Sequence, residues 1–330
     1  MPNRVAVYMI CKDEARFIER AVLSAAKADE IIVCDTGSTD DTLQKLTDLN
    51  LPNLKVHSIY VSPWRFDDAR NTALSLVSTN IDLCVSLDAD ELLDVGFIEA
   101  LQARDKDAGI VQINHSFKTE WSWDTAEPQS NVTKHFHERI HSRFGFRWVH
   151  PVHEKLTSRE AITIAWMPAL MMIQRPDTSK NRSSYLPMLE QAVIEDPIDW
   201  KLWSFMAQEY VDRRLFAQAD EALQKSLTCP DVDQVFIAWN RASLSLTQFK
   251  SEEAEVFYLD ATTKAPKLRE AWVKLADFYH SQGRNDDEAF ALLRALKCTT
   301  ETLGYRRIEA VWVNDAIEKR FNALQVNNDR

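Results

Sequence analysis

Glycine is scarce in this chain, with six in 330 residues. A Gly-rich phosphate cradle is therefore not expected, and any phosphate would be neutralised by a metal or by cationic side chains. No GxxxxGK[ST], GxGxxG or GxSxG occurs, which excludes the P-loop, the dinucleotide fingerprint and the acyl-transfer elbow. Cysteine is sparse too. Cys11, Cys34, Cys84, Cys229 and Cys298 are scattered with no CxxC pair, so the sequence offers no disulfide framework and no zinc site. Positive charge is in deficit, at a net -11, which argues against a general electrostatic grip on nucleic acid or an anionic membrane. Long apolar runs are missing as well: Ile164 to Ile173 is interrupted by Pro168 and is too short to span a bilayer. Met1-Pro2-Asn3-Arg4 leads into a strand and does not read as a signal peptide, so the expected location is cytoplasmic. In that setting the glycosylation triplet Asn131-Val132-Thr133 is a chance match.

What remains is a globular composition, 45% apolar and 27% charged, long enough for a full core and a second domain. The first half alternates strands and helices. Val5 to Cys11 is a compact apolar run, and Asp13 to Lys27 carries Ala15, Phe17, Ile18, Ala21, Val22 and Ala25 at helical spacing. Glu30 to Cys34 is a second strand, ending in a polar turn from Asp35 that can cap a helix over Thr42 to Leu49. Leu54 to Tyr60 reads as a strand, Asp67 to Val77 as a helix and Ile81 to Leu87 as a buried parallel strand. This order predicts an α/β fold, a mostly parallel sheet with helices on both faces.

From about Lys180 the strand signals stop. Asp196-Pro197, Cys229-Pro230 and Ala265-Pro266 recur at spacings of 33 and 36 residues, close to the roughly 34-residue tetratricopeptide period. Trp203, Ala207, Tyr210, Phe216, Ala219 and Ala222 are matched by Trp272, Ala276, Tyr279, Gly283 and Ala289, and less fully by Trp239, Ala242, Phe249, Ala254 and Ala261. Such units bury their apolar faces only by stacking, so these aromatics are expected in a core, with the helices after Thr302 capping the stack. The expected division is residues 1–178 for the sheet domain and 179–330 for a helical repeat domain that binds an acceptor or pairs subunits.

Candidate chemistry collects at the C-terminal ends of successive strands, which share one edge of a parallel sheet, the edge where such sheets bind ligands. Lys12-Asp13-Glu14 follow the first strand, Asp35 the second, and Asp88-Ala89-Asp90-Glu91 the fourth, with Arg70-Asn71 on the helix before it. Asp35 could accept hydrogen bonds from a base or ribose, or cap a helix. Arg70 could grip a diphosphate with its planar fork or form an ion pair. Asp90 with Asp88 offers hard oxygen ligands suited to Mg²⁺ or Mn²⁺, or simply an acidic turn.

Four blocks in order, Met9 to Glu14, Asp29 to Asp40, Phe66 to Asn71 and Leu87 to Glu91, resemble a family 2 glycosyltransferase of GT-A fold. The resemblance implies inverting transfer from a nucleotide-diphosphate sugar, a UDP-sugar being the expected donor, with Mn²⁺ or Mg²⁺. It sets the nucleotide against Ile10, Lys12, Glu14, Asp35, Arg70, Asp88 and Ala89, and the metal on Asp90 with Asp88. A further block, Arg139-Ile140-His141 and Trp148 to Glu154, resembles the segment closing the acceptor side in repeat-bearing relatives. It makes Glu154 the base, with His153 as runner-up. Where many relatives carry a His near the metal, this chain has Gln174-Arg175, leaving Gln174 as a weaker ligand or Arg175 as a phosphate contact.

A sheet domain joined to tetratricopeptide-like repeats also resembles bacterial and phage enzymes that glycosylate peptides or proteins. The implied reaction is hexosyl or N-acetylhexosaminyl transfer to a protein, peptide, glycan or other hydroxyl or thiol acceptor. Nucleic acid is not an expected acceptor, and a homodimer stays open. A nucleotidyltransferase would share the sheet and carboxylates but usually has glycine after its first strand, where this chain reads Cys11-Lys12-Asp13-Glu14-Ala15-Arg16. A repeat scaffold with an inactive sheet domain is the third reading.

Overall fold

The computed structural model describes residues 2–106, 109–120, 133–177, 183–298 and 314–328. The chain divides into two compact units, Met1–Arg182 and Ser183–Arg330. The expected boundary at 178/179 lies outside the described residues, as do Asn131 and Val132 of the glycosylation triplet.

In the first unit β1 (Val5–Cys11), β2 (Glu30–Asp35), β3 (Leu54–Ser58) and β4 (Leu83–Ser86) alternate with α1 (Ile18–Ser24), α2 (Thr42–Asp48) and α3 (Phe66–Leu76). Then follow β5 (Glu91–Leu93), α4 (Phe97–Ala103), β6 (Val111–Thr119), β7 (Thr133–Ser142), β8 (Phe146–Val149), β9 (Lys155–Ser158) and β10 (Thr163–Gln174). The main sheet runs β3-β2-β1-β4-β7-β6-β10-β5, and β8-β9 form a separate hairpin. β1 is parallel to β2 and β4, β2 to β3, and β6 to β10. β7 runs antiparallel to both β4 and β6, and β5 antiparallel to β10. The sheet is thus mostly parallel.

Side-chain alternation puts two apolar sets on opposite faces. Val5, Val7, Met9, Ile31, Val33 and Val85 pack with Ile18, Val22, Phe97, Ile98 and Leu101, joining the sheet to α1 and α4. Ala6, Tyr8, Ile32, Cys34 and Cys84 pack with Ala73 and Leu74 of α3, with Val77 just after it, and with Phe146, Trp148 and Leu156 of the hairpin. All five cysteines are buried and free, three of them within these strands. Helix α1 begins at Ile18, five residues later than the apolar spacing predicts. The reason is local: Asp13 takes a left-handed φ of 53°, and its backbone N–H is held by Ser38 Oγ at 2.9 Å.

The second unit is all helical among its described residues. After α5 (Tyr185–Glu195) come α6 (Trp200–Asp212) and α7 (Phe216–Leu227), α8 (Gln234–Thr247) and α9 (Ser251–Lys264), α10 (Arg269–Ser281) and α11 (Asn285–Leu296), then α12 (Asn314–Asn328). Each predicted proline pair lies just before the first helix of a pair, where a fixed φ and a missing N–H are tolerated. Asp199 and Asp233 cap α6 and α8 through Lys201 N and Phe236 N. Ala207, Ala219, Ala222, Ala242, Ala254, Ala261, Ala276 and Ala289 are buried, which lets the helices approach closely. Ile317 of α12 joins the last pair's core, with Trp272, Tyr279 and Leu292.

Phe249 corrects the expectation that the repeat aromatics are core. It is 96% exposed in the turn after α8, with φ 59°. Arg214 and Gly283 hold the same left-handed place in the neighbouring pairs, at 59° and 69°. The position is a helix end that favours glycine, and only the last pair supplies one.

Candidate active site

The parallel strands bring their C-terminal ends to one edge, and the loops there are tied together. Asp35 is buried, and its carboxylate accepts from Gly37 N at 3.0 Å and Ser38 N at 3.1 Å. Asp13 Oδ1 accepts from Thr39 N at 2.6 Å, and Glu14 N donates to Thr42 Oγ1 at 2.7 Å. Asp35 is therefore fixed by its own turn, close to a buried Glu14, whereas Lys12 is exposed and Ile10 half-buried.

Charge is concentrated after β4. Carboxylate oxygens of Asp88, Asp90 and Glu91 lie within 4.8 Å of one another. Two arginines from distant segments are set among them. Arg70 of α3 gives Nη2 to Asp88 at 2.8 Å, Nη1 to Ser86 Oγ at 3.2 Å and Nε to Glu154 at 2.7 Å. Arg139 of β7 reaches Asp88 at 2.8 Å and Glu91 at 3.2 Å. Burial alone would raise the Asp88 carboxyl, but Arg139 and Arg70 outweigh it and hold the group well below the usual carboxylate range. Glu91 goes the other way. Burial, helped by the charges of Asp88 and Asp90 and resisted by Arg139, pushes it up to about 8. Its Oε2 accepts from Asp88 N at 2.9 Å, and its Oε1 is buried with no hydrogen-bond partner.

Glu154 arrives from the segment between β8 and β9. Asn71 fixes that hairpin by clasping the Trp148 backbone, with Nδ2 to Trp148 O and Trp148 N to Oδ1, both 2.9 Å. His150 and His153 bend the intervening chain with φ of 78° and 51°. Glu154 ends almost covered, whereas His153 faces outward. On the far side of the acidic loop, Gln174 Nε2 lies 3.4 Å from Asp90 Oδ2, and Arg175 N donates to Asp90 O at 2.9 Å. The Arg175 guanidinium bonds Glu120 at 2.9 Å. Ala89 is buried beneath the loop.

Arg70, Asp88 and Glu154 are thus brought into direct contact, and Asp90 lies beside Gln174. The chain reading missed the part played by Arg139 and Glu91. Arg139 stands 51 residues from Asp88, and only the antiparallel β4–β7 pairing, Val85 opposite Ile140, joins them. Glu91 had a visible signal, a third acid beside Asp88 and Asp90.

The chain has the following matches among known proteins. Residues 6–162 match the profile described as Glycosyl transferase family 2. A lipopolysaccharide core biosynthesis glycosyltransferase, LpsC of Rhizobium meliloti (strain 1021), is 30% identical over 100 residues, 29% of this chain and 35% of that protein. The match therefore spans about a third of that relative's length. Among solved structures, S. aureus TarS 1–349 is similar at TM-score 0.40 and 14% identity, covering 80% of this chain and 92% of that one. The Sgt2 TPR domain of Aspergillus fumigatus is similar at TM-score 0.30 and 15% identity, covering 39% and 79%. The segment that matches the glycosyl transferase family 2 profile lies in the unit that carries these carboxylates.

Proposed function

We propose that the chain transfers a sugar, with inversion, from a nucleoside diphosphate sugar to a hydroxyl or thiol acceptor. The observation that carries this reading is the line Glu154–Arg70–Asp88, which ties a carboxylate of the hairpin to the acidic loop at the ligand-binding edge of the sheet. Arg70 holds Glu154 Oε1, which leaves the second oxygen to take the acceptor's proton. As that proton leaves, the acceptor oxygen or sulfur attacks the anomeric carbon, the bond to the diphosphate breaks, and nucleoside diphosphate departs with the electron pair. A UDP-sugar with a hexosyl or N-acetylhexosaminyl group is the donor we favour. Asp35 and Glu14, on their tied loops, line the nucleoside side with Ile10, Lys12 and Ala89.

The donor set fits a divalent cation: hard carboxylate oxygens converge, and the buried Glu91 Oε1 has no partner. Asp90, Asp88 and Glu91 would hold Mg²⁺ or Mn²⁺, with Gln174 at its edge, and the ion when bound supplies positive charge against the leaving diphosphate. Arg175, whose backbone is tied to Asp90 and whose guanidinium is paired with Glu120, would be the phosphate contact on this side. The helical unit serves as an acceptor-binding or subunit-pairing module, and the reaction belongs in the cytoplasm. A saccharide acceptor is the first to try, because the matched Rhizobium protein is described by its place in lipopolysaccharide core synthesis. Peptides and proteins follow, on the strength of the repeat unit.

A panel of sugar nucleotides tested for metal-dependent thermal shift identifies the donor by mass action. With that donor, Asp90→Ala is expected to lower turnover by roughly 10³-fold or more and to remove the metal dependence of binding. Glu154→Gln should keep donor binding and lower transfer by about 10² to 10⁴. Normal transfer by Glu154→Gln would reject the base assignment, and no shift with any donor would reject the reaction.

A further inference from the structure

Beneath Arg70 lies a buried hydrogen-bonded chain that the reaction scheme leaves unused. The Arg70 guanidinium sits over the Trp148 ring, 5.2 Å from its centroid. Trp148 Nε1 donates to Tyr8 Oη at 2.7 Å, and Tyr8 Oη lies 2.9 Å from His141 Nε2. His141 Nδ1 is 2.8 Å from Ser142 O. The direction of every bond is fixed by chemistry. An indole N–H only donates, so the tyrosine oxygen accepts from Trp148 and is also hydrogen-bonded to Ser86. A backbone carbonyl only accepts, so the neutral imidazole keeps its proton on Nδ1 and accepts from the Tyr8 hydroxyl at Nε2. His141 Nε2 must then be unprotonated, with Nδ1–H donating to the Ser142 carbonyl. Burial holds the imidazole neutral, as the acceptor role requires.

Tyr8, His141 and Trp148 come from three different strands, β1, β7 and β8. Tyr8 and His141 are essentially inaccessible to solvent and Trp148 nearly so. The Trp148 backbone is already clasped by Asn71 and its ring is packed in the apolar cluster, and the Tyr8 bond adds a directional constraint on the orientation of the indole plane. That plane is the floor on which the Arg70 fork rests, and the fork carries Asp88 on one side and Glu154 on the other.

We propose that Tyr8 and His141 act as positioning residues, orienting Trp148 so that Arg70 holds Glu154 and Asp88 at their working angle. The inference rests on the transferase reading for its consequence in catalysis, though the coupling it requires is a property of the folded chain itself.

The test is a double-mutant cycle between Tyr8→Phe and Trp148→Phe, with a second cycle between Tyr8→Phe and Arg70→Lys. Each is read first in urea unfolding of the full chain, which needs no substrate. If the network acts as one unit, Tyr8→Phe should lose at least about half of its effect on stability once the Trp148 N–H is gone. Additive effects in the Trp148 cycle overturn the proposal. Trp148→Phe keeps an aromatic floor, so this cycle stands even if Arg70→Lys does not fold.

The second readout is kinetic. Tyr8→Phe should lower kcat by roughly 10-fold or more while the Kd for the nucleoside diphosphate changes less than about 3-fold. In the Arg70→Lys background that loss in kcat should largely vanish, whereas an undirected structural defect would multiply with it. His141→Gln, whose amide can still accept from Tyr8, should restore most of the kcat that His141→Ala loses. Equal losses for the two His141 variants count against the proposal. Should the wild-type chain transfer no sugar from any donor, the transferase reading falls, and the unfolding cycle still decides whether Tyr8 acts through Trp148.

Discussion

The two units bury different things. The sheet unit encloses ionisable groups: Glu14, Glu30, Asp35, Asp67, Arg70, Glu91 and His141 are all buried. Among its described residues the helical unit buries chiefly small hydroxyls, Ser204, Ser226, Ser245 and Thr262, with Glu270 and Glu288 as charged exceptions. Thr262 Oγ1 turns back on Leu259 O at 2.8 Å, Ser226 Oγ reaches Trp200 O of α6 at 2.7 Å, and Ser204 Oγ accepts from Asn240 at 3.2 Å. Its arginines and lysines sit mostly outside, in pairs such as Lys264–Asp260. Burying a charge costs several kcal/mol before any partner repays it, so a stack that needs only stability has no reason to do it. A site that must hold carboxylates at set angles does. Buried charge therefore marks where this chain gives up stability for geometry.

The largest expected effect follows from removing the hub of that geometry. Arg70→Ala strands Asp88 and Glu154 without their shared partner and should destabilise the sheet unit by about 3–5 kcal/mol in urea unfolding. Lys264→Ala removes an exposed pair in α9 and should cost only about 0.3–0.5 kcal/mol. Equal costs for the two would break the contrast between the units.

Acidity sharpens the same contrast, because two buried groups of the sheet unit oppose each other. Burial depresses His141 to about 4, so below its ordinary value of about 6.5 the unfolded chain takes a proton that the folded chain refuses. Its contribution is complete above pH 6.5 and is lost as pH falls from there to 4. In the metal-free chain Glu91, raised to about 8, holds a proton in the folded state, so its contribution is complete below about 4.5 and is lost as pH rises through 8. Between 4.5 and 6.5 the two slopes, each about 1.4 kcal/mol per pH unit, cancel. Removing one should expose the other: His141→Gln stability should fall with rising pH across this window, and Glu91→Gln stability should rise. Parallel pH profiles for wild type and both variants, followed by urea unfolding, would show that neither group carries the linkage.

Legibility in the chain also differed between the units. The β-α order was visible because β1, β2 and β4 are buried on both faces and read as continuous apolar runs, with the half-exposed edge strand β3 the weakest of the four. The strand-end positions of Asp35, Asp88 and Asp90 followed from parallel topology alone. What could not be read was anything set by antiparallel pairing across long separations. Strand β7, which delivers Arg139 and His141, enters between β4 and β6, and no local pattern announces its partners. The start of α1 was misplaced for a similar reason: Ser38 and Asp40, more than twenty residues on, tie down Asp13 and Ala15. In the helical unit the period was legible from proline spacing, whereas the exposure of Phe249 was not, because a left-handed helix end filled by phenylalanine looks like a core residue in sequence.

The smallest prediction lies inside the repeat itself. Trp203 Nε1 donates to Pro197 O and Trp272 Nε1 to Pro266 O, both at 2.9 Å. In the middle pair Trp239 follows Pro230 by nine residues where the others follow by six, so the proline carbonyl is out of register. Its buried indole N–H has no partner, and the ring is instead covered by Lys274, whose Nζ lies 5.2 Å from the centroid. Changing each tryptophan to phenylalanine removes similar apolar area, but only at 203 and 272 does it also remove a hydrogen bond. Trp272→Phe should therefore cost about 1 kcal/mol more than Trp239→Phe, with Trp203→Phe between them because that indole is more exposed. Chemical unfolding of the three single variants measures the order directly. If Trp239→Phe is the most costly, the three-residue insertion before α8 has not disconnected the indole, and the middle pair is held by something other than the stacking that holds its neighbours.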